Sequence, residues 1–435
     1  MERKNFIFIL YLIQTLRCLI GPLLIVIGYP LSAKVRERLN FEAKNFLKEA
    51  DPKRSNAYMA FEVSSEGEFE QVRPVIDYLL KKGLIVEVIY ASESLEAKMI
   101  ALTEKEAGFR SLRLPVLSFS AFSNSFTLSQ NIRSFLTAPR LVLCRYDFYP
   151  ELLLYGLRKG VQFSLVSATL KNKEDPSWFL RQVYKGFDSI VCTSHKDEGL
   201  MRDLSSKEAR LATYEFRVLQ IMERIKNKDQ RLLRIKEILE WICEAPRDSR
   251  IIFGSVWENE TEVFSHPDFC QRIKDDQLRV VLLPHQYDPG IQASIKTVKT
   301  YLYNDGDDFD SLYKELKENP GVLVLNVHGI LCELYSHFGH SFVGGGHGRS
   351  VHSVLEPFFS GCHIYCGPKI HRSTEIDFVK AEDLEGLSII QELEGFYRAY
   401  LQVPKIDKTE ARHKLGMALY SDFERIVNLL LETKI

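Results

Sequence analysis

The 435-residue sequence lacks several features that would assign it to a class directly. Its eight cysteines include no C-x-x-C pair and are scattered, which predicts reduced, free thiols and a cytoplasmic location. A net charge of −1 gives no support to nucleic-acid binding, because that function usually needs a basic face. Internal repeats and low-complexity tracts are also missing, and the composition is that of an ordinary globular protein.

A recognisable metal-ligand set is missing as well, although histidines are frequent in the second half of the chain. His337 and His340 share a helical face at i, i+3 spacing. No adjacent carboxylate or cysteine completes the set, and Gly339 indicates that the helix ends there. The sequence therefore predicts neither a metal ion nor a cofactor.

One long apolar run is present, from Phe6 to Leu31, and we predict a membrane anchor over residues 1–33. As a helix the run would span about 39 Å at roughly 1.5 Å per residue, enough to cross a bilayer. Arg17 lies in its middle and Pro22 should kink it, so a helix lying in the membrane surface fits as well as a true span. A buried core helix is the remaining alternative, and a cleaved signal peptide is disfavoured because no small-x-small site follows.

After the anchor, strand and helix patterns alternate in two series, separated by a charged helical stretch from Arg217 to Glu244. The apolar strands are nearly continuous, which favours parallel sheets covered on both faces. We predict an α/β protein with an N-terminal Rossmann-like domain (34–216), a C-terminal Rossmann-like domain (217–405) and a C-terminal helix (406–435). The predicted strands are Ala57–Val63, Leu84–Tyr90, Leu141–Cys144, Phe163–Val166, Ser189–Cys192, Arg250–Gly254, Arg279–Leu283, Val322–Val327, His340–Val343 and His363–Cys366.

The most informative stretch runs from Phe342 to Pro368 and begins with a glycine triplet after a predicted strand. Glycines allow backbone N–H groups to approach a phosphate closely, and a helix N-terminus favours negative charge. A helix is predicted to start at Ser353, which places Glu356 within reach of a ribose. This pattern is typical of a nucleotide-sugar site. Ser353-x-x-Glu356 is also a capping box, in which both side chains would serve the helix itself.

Several motifs, in order along most of the chain, resemble the lipid A-specific 3-deoxy-D-manno-octulosonic acid (Kdo) transferases. Ser65-Glu66-Gly67-Glu68 corresponds to the family's Ser-Val-Gly-Glu, and His352 to Pro357 to its His-Asn-x-Leu-Glu-Pro. Ser255 to Glu260 stands where the family has Ser-Thr-His-x-Gly-Glu. Departures mark a divergent member: they are Tyr149 for tryptophan, Trp257 and Asn259 for histidine and glycine, Ser353 for asparagine, and Thr169 for arginine.

The resemblance implies a GT-B fold, in which two Rossmann-like domains face a cleft, and an inverting, metal-independent glycosyl transfer. The donor would be CMP-Kdo and the acceptor a lipid A precursor, at the cytoplasmic face of the inner membrane of a Gram-negative cell. The partners implied are these two substrates and the membrane surface, with no nucleic acid. Alternatives are a GT-B transferase using another nucleotide sugar, or a non-catalytic homologue that binds lipid or nucleotide.

The resemblance also implies roles for individual residues. Glu68 would be the general base. There are two alternatives: Glu66 is the base, or Glu68 only favours a helix N-terminus electrostatically. Glu356 would hold the ribose hydroxyls of the donor. Arg349 and Arg217 are candidates for contacts with the phosphate or with the donor's carboxylate, although Arg349 fits a solvated loop arginine too. The remaining donor-binding candidates are Ser255, Gly345, Gly346, His352 and Ser353.

Overall fold

The computed structural model describes residues 2–44, 55–116, 135–145, 148–170, 176–370, 373–404 and 407–432. The chain forms two compact units. The first comprises Met1–Arg217 together with Phe423–Ile435, and the second comprises Val218–Asp422. The last helix is therefore divided between the two units rather than forming a segment of its own.

The first unit contains a seven-stranded sheet in which all paired strands are parallel, in the order β3-β2-β1-β4-β5-β6-β7. Its strands are β1 (Met59–Val63), β2 (Val86–Tyr90), β3 (Phe109–Arg113), β4 (Arg140–Cys144), β5 (Gln162–Ala168), β6 (Ser189–Cys192) and β7 (Arg210–Thr213). Its helices are α1 (Glu2–Leu31), α2 (Ala33–Ala43), α3 (Glu66–Lys81), α4 (Glu96–Lys105), α5 (Pro150–Lys159), α6 (Trp178–Tyr184) and α7 (His195–Leu204).

The second unit repeats this architecture with a parallel seven-stranded sheet in the order β10-β11-β9-β8-β12-β13-β14. Its strands are β8 (Arg250–Val256), β9 (Arg279–Pro284), β10 (Thr300–Asn304), β11 (Val322–Asn326), β12 (His340–Val343), β13 (His363–Cys366) and β14 (Leu387–Ile389). The helices that follow α7 are α8 (Arg217–Lys226), α9 (Lys228–Arg231), α10 (Lys236–Cys243), α11 (Pro267–Lys274), α12 (Pro289–Ser294), α13 (Phe309–Glu318), α14 (Leu331–Leu334), α15 (Leu355–Phe359), α16 (Thr374–Glu382), α17 (Phe396–Gln402) and α18 (Thr409–Leu431).

The predicted strands are all present, and the prediction of parallel α/β architecture is confirmed. The sequence pattern missed four strands, β3, β7, β10 and β14, and each of them is the outermost strand of its sheet. An edge strand has only one neighbouring strand, so its sequence alternates polar and apolar residues instead of forming a continuous apolar run. The charged stretch from Arg217 to Glu244, which was predicted as one helical stretch, forms three separate helices, α8, α9 and α10.

Each sheet has one point where the order of connections reverses. It lies between β1 and β4 in the first sheet and between β8 and β12 in the second. The loops that follow the two central strands diverge at such a point, and ligands of open α/β sheets bind there, outside the carboxyl ends of the strands. Three non-glycine residues near these strand ends, Arg145, Ser167 and Ser255, have positive φ angles of 64°, 51° and 55°. Strained backbone of this kind is concentrated at functional sites.

Helix α1 has two halves with different surroundings. Phe6, Leu10 and Gln14 are buried against the first unit, and the ring of Phe6 lies 5.8 Å from that of Phe179 in α6. The segment Asn5–Leu31 is long and apolar enough to cross a membrane by length and composition, properties that a signal sequence or a core helix can share. Side chains of the second half are largely exposed; they include Leu19, Leu23, Leu24, Val26, Ile27 and Leu31.

The glycine loop after β12 depends on backbone packing that leaves no room for a β-carbon. A Cβ at Gly344 would overlap the carbonyl oxygen of Ser255, and one at Gly346 would overlap the backbone of Gly367. At Gly348, by contrast, the nearest atom would be an ordinary 3.6 Å away, on Asn259. The first two glycines are thus required by the fold itself.

We expect Gly346→Ala to lower the free energy of unfolding of the second unit by roughly 2 kcal/mol or more, because backbone on both sides must move. The matched control Gly348→Ala should change it by no more than about 0.5 kcal/mol. Urea denaturation followed by tryptophan fluorescence would measure both. Equal stability of the two variants would contradict the close backbone packing described here.

Candidate active site

Glu68 lies in the first turn of α3, directly after β1, and it is buried. The helix begins at Glu66 because the hydroxyl of Ser65 caps it, accepting a hydrogen bond from the backbone N–H of Glu68 at 3.3 Å. The Glu68 carboxylate in turn accepts a 2.6 Å hydrogen bond from the backbone N–H of Ser64. Ser65 thus caps the helix, while the Glu68 carboxylate reaches back to the strand end; the electrostatic alternative for Glu68 stays open.

Two further groups surround the same strand end. The Ser64 hydroxyl donates to the buried carboxylate of Glu62 at 3.0 Å and lies 3.1 Å from the hydroxyl of Tyr149. Tyr149 precedes α5 and stands where the family has tryptophan. The Tyr149 hydroxyl can donate or accept a hydrogen bond at Ser64, whereas the indole of a tryptophan could only donate one. Asp147, two residues earlier, lies outside the described residues.

Glu66, the alternative base, has a different environment. Its side chain is largely exposed, and Lys98 of α4 binds both Glu66, at 2.7 Å, and Glu70, at 2.6 Å. Glu66 is therefore paired with a cation at the surface, whereas Glu68 is buried at the strand end. Glu68 stays the first candidate for the base and Glu66 the alternative.

Gln71, one turn after Glu68, joins the two strained strand ends of the first unit. Its amide donates to the hydroxyl of Ser167 at 2.7 Å and accepts from the guanidinium of Arg145 at 2.6 Å. No sequence motif points to Gln71, Arg145 or Ser167 as site residues, because their role depends on positive φ angles and on contacts between residues distant along the chain. Together they fix the shape of the carboxyl edge beside Glu68.

Arg217 belongs to the first unit, and its Nε donates to the buried carboxylate of Glu215 at 3.2 Å. Burial raises the pKa of the Cys144 thiol; the charge of Glu68 raises it further, and the charge of Arg217 opposes this. Arg217 thus lies close enough to the end of β4 to influence Cys144. The role implied for Arg217, a contact with the phosphate or with the donor's carboxylate, stays a prediction.

In the second unit, Glu260 organises the glycine loop. Its carboxylate accepts hydrogen bonds from the backbone N–H of Trp257 at 3.0 Å and from that of Gly345 at 2.8 Å. Gly345 has a φ of 101°, which only glycine adopts easily. The Gly345 amide, which the sequence suggested for phosphate binding, is therefore already bound by a carboxylate.

Three rings and one guanidinium form an aromatic cluster next to this loop. His285 and His352 stack with centroids 4.5 Å apart, and Trp257 lies 4.7 Å from His285. The guanidinium of Arg349 lies over the Trp257 ring at 4.0 Å, an arrangement that favours a cation. Arg349 is thus an exposed loop residue whose guanidinium rests on tryptophan.

His352 is prepared as a neutral hydrogen-bond donor. Burial lowers its pKa, as do the neighbouring His285 and Arg349, against the opposite effect of Glu260. The indole N–H of Trp257 donates to His352 Nε2 at 3.3 Å, so the proton of the neutral ring is on Nδ1. The Nδ1–H of neutral His352 can therefore donate a hydrogen bond to an oxygen atom of a ligand.

The predicted start of the helix at Ser353 is corrected by the structure. Helix α15 begins at Leu355, and Ser353 and Glu356 do not form a capping box. Instead, Glu375 of α16 accepts hydrogen bonds from the Ser353 hydroxyl at 3.0 Å and from the Val354 N–H at 2.6 Å. The sequence could not show this because Glu375 is distant along the chain.

Glu356 lies in a separate cluster of charges. Its carboxylate is 3.7 Å from the guanidinium of Arg224, which also donates to the buried Glu333 at 2.8 and 2.7 Å. Although burial works against the charge, the hydrogen bonds to Glu333 raise the pKa of Arg224. Arg231 binds Glu333 as well. The Glu356 side chain is 23% exposed beside this cluster.

The departure from the family at Thr169 has a structural explanation. Thr169, where the family has arginine, donates to the buried Asp197 at 3.1 Å, and Ser194 donates to the same carboxylate at 2.6 Å. Within the described parts of the chain, no group of three or more histidine, cysteine or acidic side chains is arranged to hold a metal ion.

The structure therefore assembles two groups of candidate residues, each within one unit. Glu68 is grouped with Glu62, Ser64 and Tyr149 in the first unit. In the second, the backbone contacts of the glycine loop bring Gly345, Gly346 and Ser255 close to His352. The residues that sequence reasoning missed as site components are Glu260, Trp257, His285 and Arg224, although Trp257 and Glu260 lay within a motif that it had noted.

A sequence model of the 3-deoxy-D-manno-octulosonic-acid transferase family (kdotransferase) matches residues 33–215. No match was found among curated proteins. Among solved structures, UDP-GlcNAc 2-epimerase from Neisseria meningitidis, bound to UDP-GlcNAc, is similar at a TM-score of 0.55 with 13% identity, over 87% of this chain and 100% of that one. A glycosyltransferase from Rickettsia africae is similar at a TM-score of 0.50 with 14% identity, over 87% and 96%.

The C-terminal CMP-Kdo binding domain of WaaA from Acinetobacter baumannii is matched at a TM-score of 0.32 with 17% identity, over 47% of this chain and 99% of that domain, a score too low to support an assignment. The fuller structural matches confirm the GT-B fold, and with the family match they support a glycosyltransferase. Residues 33–215 therefore match the 3-deoxy-D-manno-octulosonic-acid transferase family, in agreement with the resemblance seen in the sequence motifs.

Proposed function

We propose that the protein is an inverting glycosyltransferase that moves Kdo from CMP-Kdo to a lipid A precursor during lipopolysaccharide core biosynthesis. The observation that carries the proposal is the position of Glu68. Within a segment that matches the Kdo transferase family, this carboxylate is buried at the carboxyl end of β1, beside the reversal point of the sheet. A general base for an acceptor hydroxyl is needed at such a position.

In the proposed reaction, Glu68 accepts the proton of an acceptor hydroxyl as the hydroxyl oxygen attacks the anomeric carbon of Kdo. The bond from that carbon to the phosphate oxygen breaks, and CMP leaves with the bonding electron pair. Attack from the face opposite the leaving group inverts the configuration. The hydrogen bond from the Ser64 N–H holds one carboxylate oxygen in place, so that proton transfer uses a fixed geometry.

On the donor side, Glu356 accepts hydrogen bonds from the ribose hydroxyls, and the neutral His352 donates to an oxygen of the phosphate. Gly346, Ser255 and Ser353 line the path of the phosphate, while Gly345 shapes the loop through its bond to Glu260. Arg349, resting on Trp257, adds positive charge for the phosphate or the donor carboxylate. Arg217 is the second candidate for such a contact.

The anchor supports action at the cytoplasmic face of the inner membrane, in a Gram-negative cell. The first half of α1 packs on the protein along one side, so the stretch from about Leu19 to Leu31 is the part most fully available to lipid. That length is roughly 20 Å at about 1.5 Å per residue, less than a hydrocarbon core of about 30 Å. We therefore favour a helix inserted into one leaflet over a complete span.

A second candidate is transfer from another nucleotide sugar. It is favoured by one observation: Trp257 and Asn259 replace the histidine and glycine of the family motif, and Trp257 organises both His352 and Arg349. A changed contact at this position is a plausible route to a changed donor.

The experiment that tests the proposal combines the purified protein with CMP-Kdo, regenerated in situ, and a tetra-acylated lipid A precursor. Mass spectrometry of the products should reveal added mass in multiples of one Kdo residue. No product together with thermal protection by CMP would support the second candidate. No product and no protection by CMP would indicate a non-catalytic homologue.

We expect Glu68→Gln to reduce turnover by about 10²- to 10⁴-fold, the usual contribution of a general base, with little change in CMP binding. Glutamine has the same shape and can still accept from the Ser64 N–H, so the fold should be retained. Glu66→Gln is the matched control, and it should stay within about twofold of wild type because exposed ion pairs contribute little. A fully active Glu68→Gln enzyme would rule out Glu68 as the base.

We expect Glu356→Gln to weaken CMP binding by about 10- to 100-fold, because hydrogen bonds to a charged acceptor contribute about 1.5–3 kcal/mol. The same substitution should abolish most of the preference for CMP over 2′-deoxy-CMP, measured by calorimetry. If Glu356 acted only on Arg224 and the fold, both nucleotides would lose affinity equally, and the ribose assignment would be wrong.

A further inference from the structure

An apolar cavity of about 390 Å³ lies between α1, α2 and the end of the segment that follows β3. Its volume falls within the roughly 300–1,000 Å³ of typical small-molecule sites. Its wall is mostly aliphatic, with one cation; the lining residues are Leu16, Arg17, Ile20, Gly21, Leu24, Ile25, Val35 and Val116. Such a lining selects an apolar ligand.

The cavity exists because α2 turns back along α1. The Val35 side chain of α2 lies against Gly28 of α1, because a Cβ at Gly28 would be in ordinary van der Waals contact with it at 3.4 Å. Gly21 lines the cavity without a side chain of its own, so a leucine there is expected to fill part of the space.

The charge of Arg17 is already satisfied at the cavity wall. Its guanidinium donates to the carbonyl oxygen of Val116 at 2.7 Å and forms an ion pair with Glu151 of α5. Burial raises the pKa of Glu151, although Arg17 lowers it. Since the arginine is bound on two sides, it serves to fix α1 on the unit, and the rest of the cavity presents hydrocarbon.

The wall of the cavity includes exposed apolar side chains of α1, because Ile20 and Leu24, which line it, have exposures of 47% and 62%. They adjoin the apolar surface of α1 that we assign to the membrane. Exposed apolar surface of this extent marks an interaction site. A ligand entering the cavity would therefore come directly from lipid.

On the other side, contacts lead from the cavity towards Glu68. Arg17 also lines a smaller cavity with Tyr149 and Glu151. The Tyr149 hydroxyl lies 3.1 Å from the Ser64 hydroxyl, and the Ser64 N–H binds Glu68. The cavity is thus joined by direct neighbours to the carboxylate that acts on the acceptor.

From this placement we propose that the cavity binds one acyl chain of the lipid acceptor and so positions its sugar hydroxyl. The inference rests on the proposed function, because it identifies the lipid with the acceptor. One chain held between α1 and α2 would fix the acceptor's depth in the membrane relative to Glu68. The remaining chains of the lipid would stay in the bilayer beside the exposed half of α1.

The first experiment needs no donor and no turnover. The full chain is bound to phosphatidylethanolamine vesicles that contain a phosphatidylglycerol with a diazirine in its acyl chain, illuminated, and digested for mass spectrometry. Wild type should be labelled at cavity residues such as Ile25 and Val35. Gly21→Leu, which fills the cavity and favours the helix, should lose at least about four-fifths of this label, roughly a fivefold drop in occupancy. Val26→Phe adds bulk on the exposed face and should keep the label.

The second experiment is the transfer assay with varied acceptor. Gly21→Leu should raise the acceptor KM about tenfold, while kcat and the donor KM stay unchanged. Val35→Phe fills the cavity from α2 and should do the same, which guards against a folding defect in one variant. Label confined to the exposed face of α1, or an unchanged acceptor KM in both filled variants, would overturn the inference.

The two proposals can fail separately. A wild-type protein that transfers no sugar, but whose cavity is labelled and is blocked by Gly21→Leu, contradicts the transferase proposal and with it the acceptor identity of the chain. Normal transfer with no cavity label contradicts the cavity alone.

Discussion

The parallel direction of every paired strand in both sheets is the constraint on which the rest of the structure depends. It places all the carboxyl ends of a sheet on one edge, so residues far apart along the chain become neighbours there. In the first unit, this edge brings together Glu68 after β1 and Arg145 after β4. In the second, it brings Ser255, near the end of β8, close to the glycine triplet that follows β12. The positive φ angles of Arg145, Ser167 and Ser255 turn the chain sharply at these ends.

Internal carboxylates decide what these edges can still bind. Glu260 occupies the Gly345 amide and Glu375 occupies the amides of Val354 and Leu355, so the donors expected for a phosphate already have partners. Under the proposed function, binding of the phosphate would then fall to the neutral Nδ1–H of His352 and to the guanidinium of Arg349. In the first unit the Glu68 carboxylate is held at the strand end by the Ser64 N–H.

Much of the fold could be read from the sequence, because buried central strands are continuous apolar runs. The edge strands β3, β7, β10 and β14 could not, since a half-exposed strand has a weak pattern. Glu68 was proposed as the base from a short local motif, and this role stays a prediction. A contact with a distant residue could not be predicted: Glu375 replaces the local cap at Ser353. The sequence showed Trp257 only as a departure from the family motif. Its contacts with His352 and Arg349 could not be predicted without the structure.

The central claim is that a cytidine nucleotide is the donor carrier, although the structurally similar epimerase is bound to a uridine nucleotide. Calorimetric titration of the full chain in detergent with CMP and, separately, with UMP tests it most directly. The account predicts saturable binding of CMP and at least about tenfold weaker binding of UMP, a difference of about 1.4 kcal/mol. Equal affinities, a preference for UMP, or no binding of CMP would contradict it.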